Sequence, residues 1–392
     1  IYKFYPQMGV ATGYAAKKVC SCTFATGREQ SEVEKDELYF SVLPFVKNVK
    51  DDSQKSVTST FLGLQEQTAV YRSGLGCVLI RDKDDYNVVF PKTTRDFNRG
   101  FSVPDQPLIT NGTNVQLLNK AVESQFNKDG DLKTKQTTAV LVFHRDTLIA
   151  ERYAPSFTRD MPQLGWSMTK SWMNAFAGLL VKDGLVSLDN SHLFTEWEQD
   201  KRNAITFRNL LNMESGLEWV EDYATYSDAT RMLYFSDNVS DIPLDMSLTF
   251  KPGTHWYYSS GTTNIISRYF RNILGEENRY LTFLQQRLFD ELDMKSAFIE
   301  TDESGLLIGS SYGYATPRDW AKFGLLYLHD GIWNGKRILP EGWIDFTKTQ
   351  VPDSKGKYGA HFWLNQNGSQ YPDAPFDMYN AGGFLGQYVF VI

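Results

Sequence analysis

Cysteine is scarce in this 392-residue chain, with three residues, Cys20, Cys22 and Cys77, all in the first fifth. At most one intramolecular disulfide is available, one thiol is left over, and no Cys-x-x-Cys redox pair exists. Two arrangements stay open: buried free thiols, or a bridge from Cys20 or Cys22 to Cys77, which would staple the N-terminal region in an oxidising compartment. Histidine is scarce too. His144, His192, His255, His329 and His361 lie far apart, and none belongs to a short metal-ligand spacing. Neither a metal nor an organic cofactor is expected. Positive charge is outnumbered, 40 Lys+Arg against 47 Asp+Glu for a net −7, so a phosphate backbone is repelled at long range and nucleic acid is not an expected partner. Long apolar runs are missing as well. Stretches such as Ala139–Phe143 are strand-sized, well short of the ~18 residues of a membrane helix, so a soluble chain is expected. It opens at Ile1 with neither an initiator Met nor an apolar leader, as expected if any targeting segment has been removed or left out of the sequence.

What is present is ordinary for a folded protein: 42% hydrophobic residues plus 29 Gly, and 22% charged residues. These shares exclude a disordered, collagen-like or coiled-coil chain. At ~150 residues per domain the length corresponds to about two domains, enough for a sizeable core.

Residues 1–110 look irregular, with turn clusters at Lys50–Ser53 and Arg81–Asp85. A polar passage from Pro104 to Asn114 predicts a boundary near 105–115. Beyond it Thr138–Phe143 and Thr147–Tyr153 predict a hairpin about the Arg145-Asp146 turn. From Ser167, Trp172, Ala175, Phe176 and Leu179 follow the helical period, which ends at Lys182-Asp183-Gly184. Further helices are predicted at Thr206–Asn212, Thr262–Leu274 and Pro317–Leu328, and a strand at Gln387–Ile392 after a Gly-rich run. Strands at both ends with helices between describe an α/β sheet with a helical insertion.

Several segments offer chemistry. Gly331–Arg337 resembles a phosphate loop but is one residue short and has Arg where Ser or Thr would reach Mg²⁺, so a turn is expected. Gly309-Ser310-Ser311-Tyr312-Gly313 matches G-x-S-x-G but lacks the strand and helix of a nucleophile elbow. Ser167-Met168-Thr169-Lys170 is the stronger candidate. A serine hydroxyl needs a base to take its proton, and a spacing of three puts Ser167 and Lys170 on one face of a helical turn. Burial would lower the lysine's pKa enough for it to serve, and the helix N-terminus aims N–H groups at an oxyanion near Ser167. Average composition yields roughly one Ser-x-x-Lys by chance in such a chain. Indeed Ser354-Lys355-Gly356-Lys357 also fits, but in a polar loop that would not hold the pair. Tyr258-Ser259-Ser260, after the Pro252-Gly253 turn, supplies a phenol able to relay protons; its other reading is an aromatic packing beside Trp256 and Tyr257.

In combination these residues resemble the serine β-lactamase and penicillin-binding protein superfamily, within it the esterase-like branch that includes 6-aminohexanoate-dimer hydrolases. The likeness extends through Gly165–Ser171, Asp183–Asp189, Ile205–Leu217, Lys251–Thr254 and Tyr314–Gly324, covering about residues 115–392. More loosely, Ala11–Arg28 looks like the N-terminal extension of some members.

The resemblance implies an α/β (α+β), β-lactamase/transpeptidase-like fold: an antiparallel sheet flanked by helices, an all-helical insertion and an N-terminal extension. The extension would comprise residues 1–110, packing on a catalytic domain of 111–392, with sheet parts at about 111–165 and 300–392 and a helical part at about 185–300. It further implies Ser167 as acylated nucleophile, Lys170 as base or relay, and Tyr258 as the group that activates Ser167 or protonates the leaving group. Ser260 falls where relatives have Asn and would bond substrate or Lys170. Gly382, Gly383 and Phe384 would line the oxyanion hole, with the Ser167 and Phe384 N–H groups as donors. Tyr223 or Tyr226, in the acidic, aromatic stretch Glu218–Tyr226, would contact substrate or pack the loop. The family's cationic third motif aligns with Ala381-Gly382-Gly383, which argues against β-lactams and acyl-D-Ala-D-Ala peptides and toward small ester, amide or peptide-like substrates. Family domains usually continue past the last strand with another strand and a closing helix, whereas this sequence stops at Ile392; a trimmed chain, an omitted remainder and an incomplete fold all stay open. A periplasmic or secreted location follows from the same likeness. Two alternatives stand beside this serine hydrolase: a β-lactamase or D-Ala peptidase, and a non-catalytic binding protein on the same fold. Oligomeric state is not legible.

Overall fold

The computed structural model describes residues 5–81, 106–108, 112–126 and 135–392. The expected turn at Arg81–Asp85 beyond Arg81, and much of the boundary at 105–115, lie outside the described residues.

The N-terminal region is more regular than its pattern suggests. Helices α1 (Tyr5–Cys20) and α2 (Gln30–Glu37) precede a four-stranded antiparallel meander, β1 (Val46–Asp51), β2 (Ser56–Phe61), β3 (Leu64–Arg72) and β4 (Gly76–Ile80). Helix α1 escapes the periodicity test because its buried face is built of Gly9, Ala11, Gly13, Ala15, Ala16 and Val19 rather than large apolar residues. That small face permits close approach: a Cβ on Gly13 would stand 2.9 Å from that of Tyr234. The β2–β3 turn is Leu62-Gly63, both with positive φ, as a two-residue hairpin demands. A disulfide joins Cys20 of α1 to Cys77 of β4, and Cys22 is a buried free thiol. Buried Glu300 ties this region to the remainder, pairing with Lys17 at 2.7 Å and accepting from the Cys77 N–H at 2.7 Å.

After α3 (Val115–Glu123) comes the expected hairpin, β5 (Ala139–His144) and β6 (Thr147–Tyr153), turning at Arg145-Asp146 with φ of 48° and 63°. Strand β7 (Gln163–Leu164) leads into α4 (Thr169–Lys182). The helical stretch holds α5 (Phe207–Leu211), α6 (Asp228–Phe235), α7 (Asp241–Asp245), α8 (Ser260–Leu274) and α9 (Glu277–Leu284). Then follow β8 (Phe298–Ile299), β9 (Gly313–Ala315), α10 (Pro317–Leu328), β10 (Ile332–Trp333), β11 (Lys336–Arg337) and α11 (Trp343–Lys348). The described chain closes with β12 (Trp363–Leu364), β13 (Tyr379–Gly383) and β14 (Gln387–Val391). Thr206 caps α5 in a reciprocal box with Asn209, and Thr316 with Pro317 opens α10, as their sequences direct.

Among the described residues every strand pairing is antiparallel, in the groups β5–β6, β7–β9–β8, β10–β11 and β12–β13–β14 besides the meander. Helix α10 packs against both β5 and β14, and α4 against β13. This is the mixed, antiparallel, helix-flanked architecture expected. The core is aromatic where helices meet: Trp172 of α4, fully buried, stacks on Trp320 of α10 at 4.0 Å and meets Phe289 edge-on at 4.6 Å. Among the described residues no helix is long and apolar enough to cross a membrane. Gly331–Arg337 holds the β10–β11 hairpin, turning at Asn334-Gly335, and Ser354–Lys357 is a tight turn whose serine is buried and bonded to backbone.

Candidate active site

Ser167 lies in a single 3₁₀ turn, Trp166–Met168, that feeds directly into α4. The turn is tied down by Gly165 N–H to the Gly313 carbonyl (2.8 Å) and by Thr169 Oγ1, which donates to the Trp166 carbonyl (2.7 Å) and accepts from Gly313 N–H (2.8 Å). Trp166 has φ of 47°, a conformation costing about 1–3 kcal/mol for a bulky residue. Packing holds it there. Tyr14 stacks on the indole at 5.9 Å, Tyr312 and Phe384 approach to 5.7 and 5.8 Å, and Lys18 sits 5.5 Å from the ring.

The first turn of α4 carries Lys170 back beneath Ser167. Its Nζ is 3.0 Å from Ser167 Oγ, 2.9 Å from Ser260 Oγ and 2.8 Å from the Ser310 carbonyl. Only 1% of the lysine is exposed. Burial disfavours the ammonium and lowers the pKa to about 8, while the charge of Glu221 works in the opposite direction. The G-x-S-x-G match at Gly309–Gly313 thus contributes a backbone acceptor for Lys170, and its Ser311 is buried.

Tyr258 stands at the entrance to α8, whose N-cap is Ser259 and whose first residue is Ser260. Its ring lies 4.9 Å from Lys170 Nζ, and Ser167 acts on its hydroxyl to lower the pKa, against the larger effect of burial. Burial, helped by Glu221, pushes the phenol well above its ordinary range, so it stays protonated at neutral pH. Trp363 stacks on it at 5.1 Å and Tyr358 meets it edge-on at 5.8 Å.

Glu221 closes the far side. Its carboxylate accepts from Ser260 N–H (2.9 Å), Ser260 Oγ (2.5 Å), Tyr223 Oη (2.8 Å) and Trp219 Nε1 (2.5 Å). Tyr223 Oη also lies 2.8 Å from Ser260 Oγ. Tyr226 is directed elsewhere, edge-on to Phe235 at 5.2 Å.

Strand β13 forms the opposite wall. A Cβ on Gly383 would fall 2.2 Å from the Gly165 carbonyl and 3.2 Å from Ser167 N, so only glycine lets the strand end lie against the serine turn. A Cβ on Gly382 would fall 2.9 Å from Trp363 Cδ1. Phe384 follows, half-exposed. Ala381 is fully buried and brings no charge.

The structure therefore gathers Ser167, Lys170, Tyr258, Ser260, Tyr223 and Gly383 into one place. Sequence reasoning did not single out Glu221, Trp363, Tyr358 or the Ser310 carbonyl. Glu221 lay inside the acidic, aromatic stretch already noted, but nothing in its spacing distinguished it from Glu218 or Asp222.

A serine–lysine helix facing the end of an antiparallel strand defines the β-lactamase and transpeptidase class of folds. The beta-lactamase family model matches residues 125–392, and the chain belongs to the beta-lactamase family. A curated relative, the 6-aminohexanoate-dimer hydrolase of Paenarthrobacter ureafaciens, is 25% identical over 224 residues, 53% of this chain and 56% of that protein. The chain therefore spans little more than half the length of that relative. A Bacillus anthracis structure provisionally described as a 6-aminohexanoate-dimer hydrolase shares 22% identity at a TM-score of 0.57, over 70% of this chain and 72% of that one. A penicillin-binding protein homologue from Caulobacter crescentus shares 15% identity at a TM-score of 0.54, over 71% and 88%. Both likenesses concern the fold.

Proposed function

We propose that the protein is a serine hydrolase cleaving ester or amide bonds of small acyl substrates through an acyl-enzyme on Ser167. The observation that carries this reading is the 3.0 Å contact between Ser167 Oγ and the buried Lys170 Nζ. Neutral Lys170 takes the Ser167 proton as Oγ bonds to the substrate carbonyl carbon. The resulting oxyanion is received by the Ser167 and Phe384 N–H groups. Tyr258 passes a proton to the departing alcohol or amine as its bond to carbon breaks, and regains one from Lys170. Water then cleaves the acyl-enzyme, returning acid and free Ser167.

The uncharged Ala381, where the resemblance places a cation, favours acyl groups without a carboxylate. The similarity to a 6-aminohexanoate-dimer hydrolase supports amides as well as esters. A second reading, a β-lactam-recognising enzyme, is favoured by the family match and is distinguished by whether a chromogenic cephalosporin acylates Ser167 and is released. Residues 1–110 are read as an extension packed on a catalytic domain of 111–392, an arrangement supported by Tyr14 and Lys18 on Trp166. The Cys20–Cys77 bridge supports a periplasmic or secreted location, since such bonds persist in oxidising compartments.

The test is a short-chain p-nitrophenyl ester and a fluorophosphonate serine probe applied to wild type, Ser167→Ala and Lys170→Ala. Turnover with one adduct on Ser167, both lost in Ser167→Ala, is expected. A folded wild-type sample that takes no adduct would overturn the reading and leave a non-catalytic binding role.

A further inference from the structure

The hydrogen bonds around Ser260 have a direction that the geometry dictates. A carboxylate has no proton to give, so in the 2.5 Å contact between Glu221 Oε1 and Ser260 Oγ the serine must donate. Its single proton committed there, Ser260 Oγ can only accept from Lys170 at 2.9 Å. The Ser310 carbonyl, at 2.8 Å, can also only accept. A neutral amine has two N–H bonds and one lone pair. With both N–H bonds engaged, the lone pair is left facing Ser167 Oγ at 3.0 Å.

We propose that Glu221 is a positioning residue for acylation: by fixing the Ser260 hydroxyl as an acceptor toward Lys170, it turns the lysine lone pair onto Ser167. Without that carboxylate the Ser260 hydroxyl is free to rotate and donate into the same lone pair, competing with Ser167. Glu221 acts through Ser260 and touches neither the nucleophile nor its base. Tyr223 Oη, 2.8 Å from both Glu221 Oε1 and Ser260 Oγ, braces the arrangement.

The carboxylate also works on Lys170 through its charge. The groups facing that lysine are Ser167 from the turn before α4, Tyr258 and Ser260 from the start of α8, the Ser310 carbonyl, and His361 behind it. Burial holds His361 near 3, so it is neutral, and its Nδ1 donates to the Leu211 carbonyl at 2.7 Å. Tyr258 is neutral as well. Glu221 is therefore the charged group whose field raises the affinity of Lys170 for its proton.

The inference rests on the reading of Lys170 as base, and its test uses one readout that needs turnover and one that does not. Ester hydrolysis is measured for wild type, Glu221→Gln, Ser260→Ala and the double variant. Glu221→Gln is expected to lower kcat/KM about tenfold, chiefly through kcat, and to move the acidic limb of the pH profile to lower pH. In the Ser260→Ala background the same substitution is expected to cost less than about threefold, because no hydroxyl remains to be misdirected. Equal losses in both backgrounds would overturn the proposal. Glu221→Asp, which keeps the charge, should hold the limb in place even if kcat falls; a limb that moves as far as in the Gln variant would count against it. Independently, ¹³C NMR of Cε-labelled lysine follows Lys170 itself, assigned by its loss in Lys170→Ala. Its titration midpoint is expected to drop in Glu221→Gln, and an unmoved midpoint would refute the electrostatic part. If Ser167 proves unreactive in the wild type, the hydrolase reading fails while this titration still reports the coupling.

Discussion

Lys170 Nζ lies 3.0 Å from Ser167 Oγ while 1% of the lysine remains exposed, and the same amine meets Ser260 Oγ and the Ser310 carbonyl. Because the ammonium has no lone pair, kcat/KM for a non-ionising ester should rise with pH through about 8 and level off above it. Lys170→Ala should cost about 10²–10⁴-fold in kcat with Ser167 still present. A limb centred near pH 6 would assign the base to another group.

The same lysine should be a liability to the fold. Its folded-state pKa of about 8 lies below the ordinary 10.5, so its stability contribution is present above the ordinary value and is lost as pH falls through the folded one. At neutral pH the shift corresponds to about 3 kcal/mol, partly offset by the bond to Ser310 that replacement removes. Lys170→Met should therefore be inactive but melt higher than wild type at pH 7, the advantage shrinking toward pH 10. Differential scanning calorimetry at the two pH values checks the sign.

Gly383→Ala tests the wall opposite the serine. The backbone there is extended, φ −132°, so no conformational strain arises, and the whole effect comes from a methyl 2.2 Å from the Gly165 carbonyl. The strand end must withdraw, moving the Phe384 N–H, the proposed oxyanion donor, away from Ser167. A loss of about 10²–10³-fold in kcat is expected, with a smaller change in KM. Steady-state ester kinetics on a variant shown folded by circular dichroism measures both.

Reducing the disulfide should loosen the N-terminal region before it harms the chemistry. Cys20 and Cys77 are separated by 57 positions, for which chain entropy alone gives up to about 4 kcal/mol. Urea denaturation of wild type with and without reductant, and of Cys20→Ser with Cys77→Ser, should show this as a lower midpoint. A midpoint indifferent to reductant would mean that α1 is held by the Lys17–Glu300 and Lys18–Glu37 pairs instead.

Local patterns carried much of what mattered. Ser167, in the 3₁₀ turn, and Lys170, in the first turn of α4, sit three residues apart on a continuous helical run, and that spacing puts them on one side of it. The Arg145-Asp146 hairpin, the Thr206 cap and the Pro317 start were legible for the same reason: each is decided by neighbours within four residues. Helix α1 was not, because a face of glycine and alanine has no periodic hydrophobic signal, and its helicity depends on what it packs against.

Sequence alone singled out Ser167, Lys170 and Tyr258, and the absence of a charge at Ala381. Tertiary structure decided everything those residues need from a distance: Cys20 rather than Cys22 as the partner of Cys77, Tyr223 rather than Tyr226 at the site, and Trp363 against Tyr258. It also brought Glu221 and the Ser310 carbonyl to the lysine region from segments 51 and 140 positions away in the chain. A carboxylate's role is fixed by which donors converge on it, and that convergence exists only after the chain has closed over Ser260.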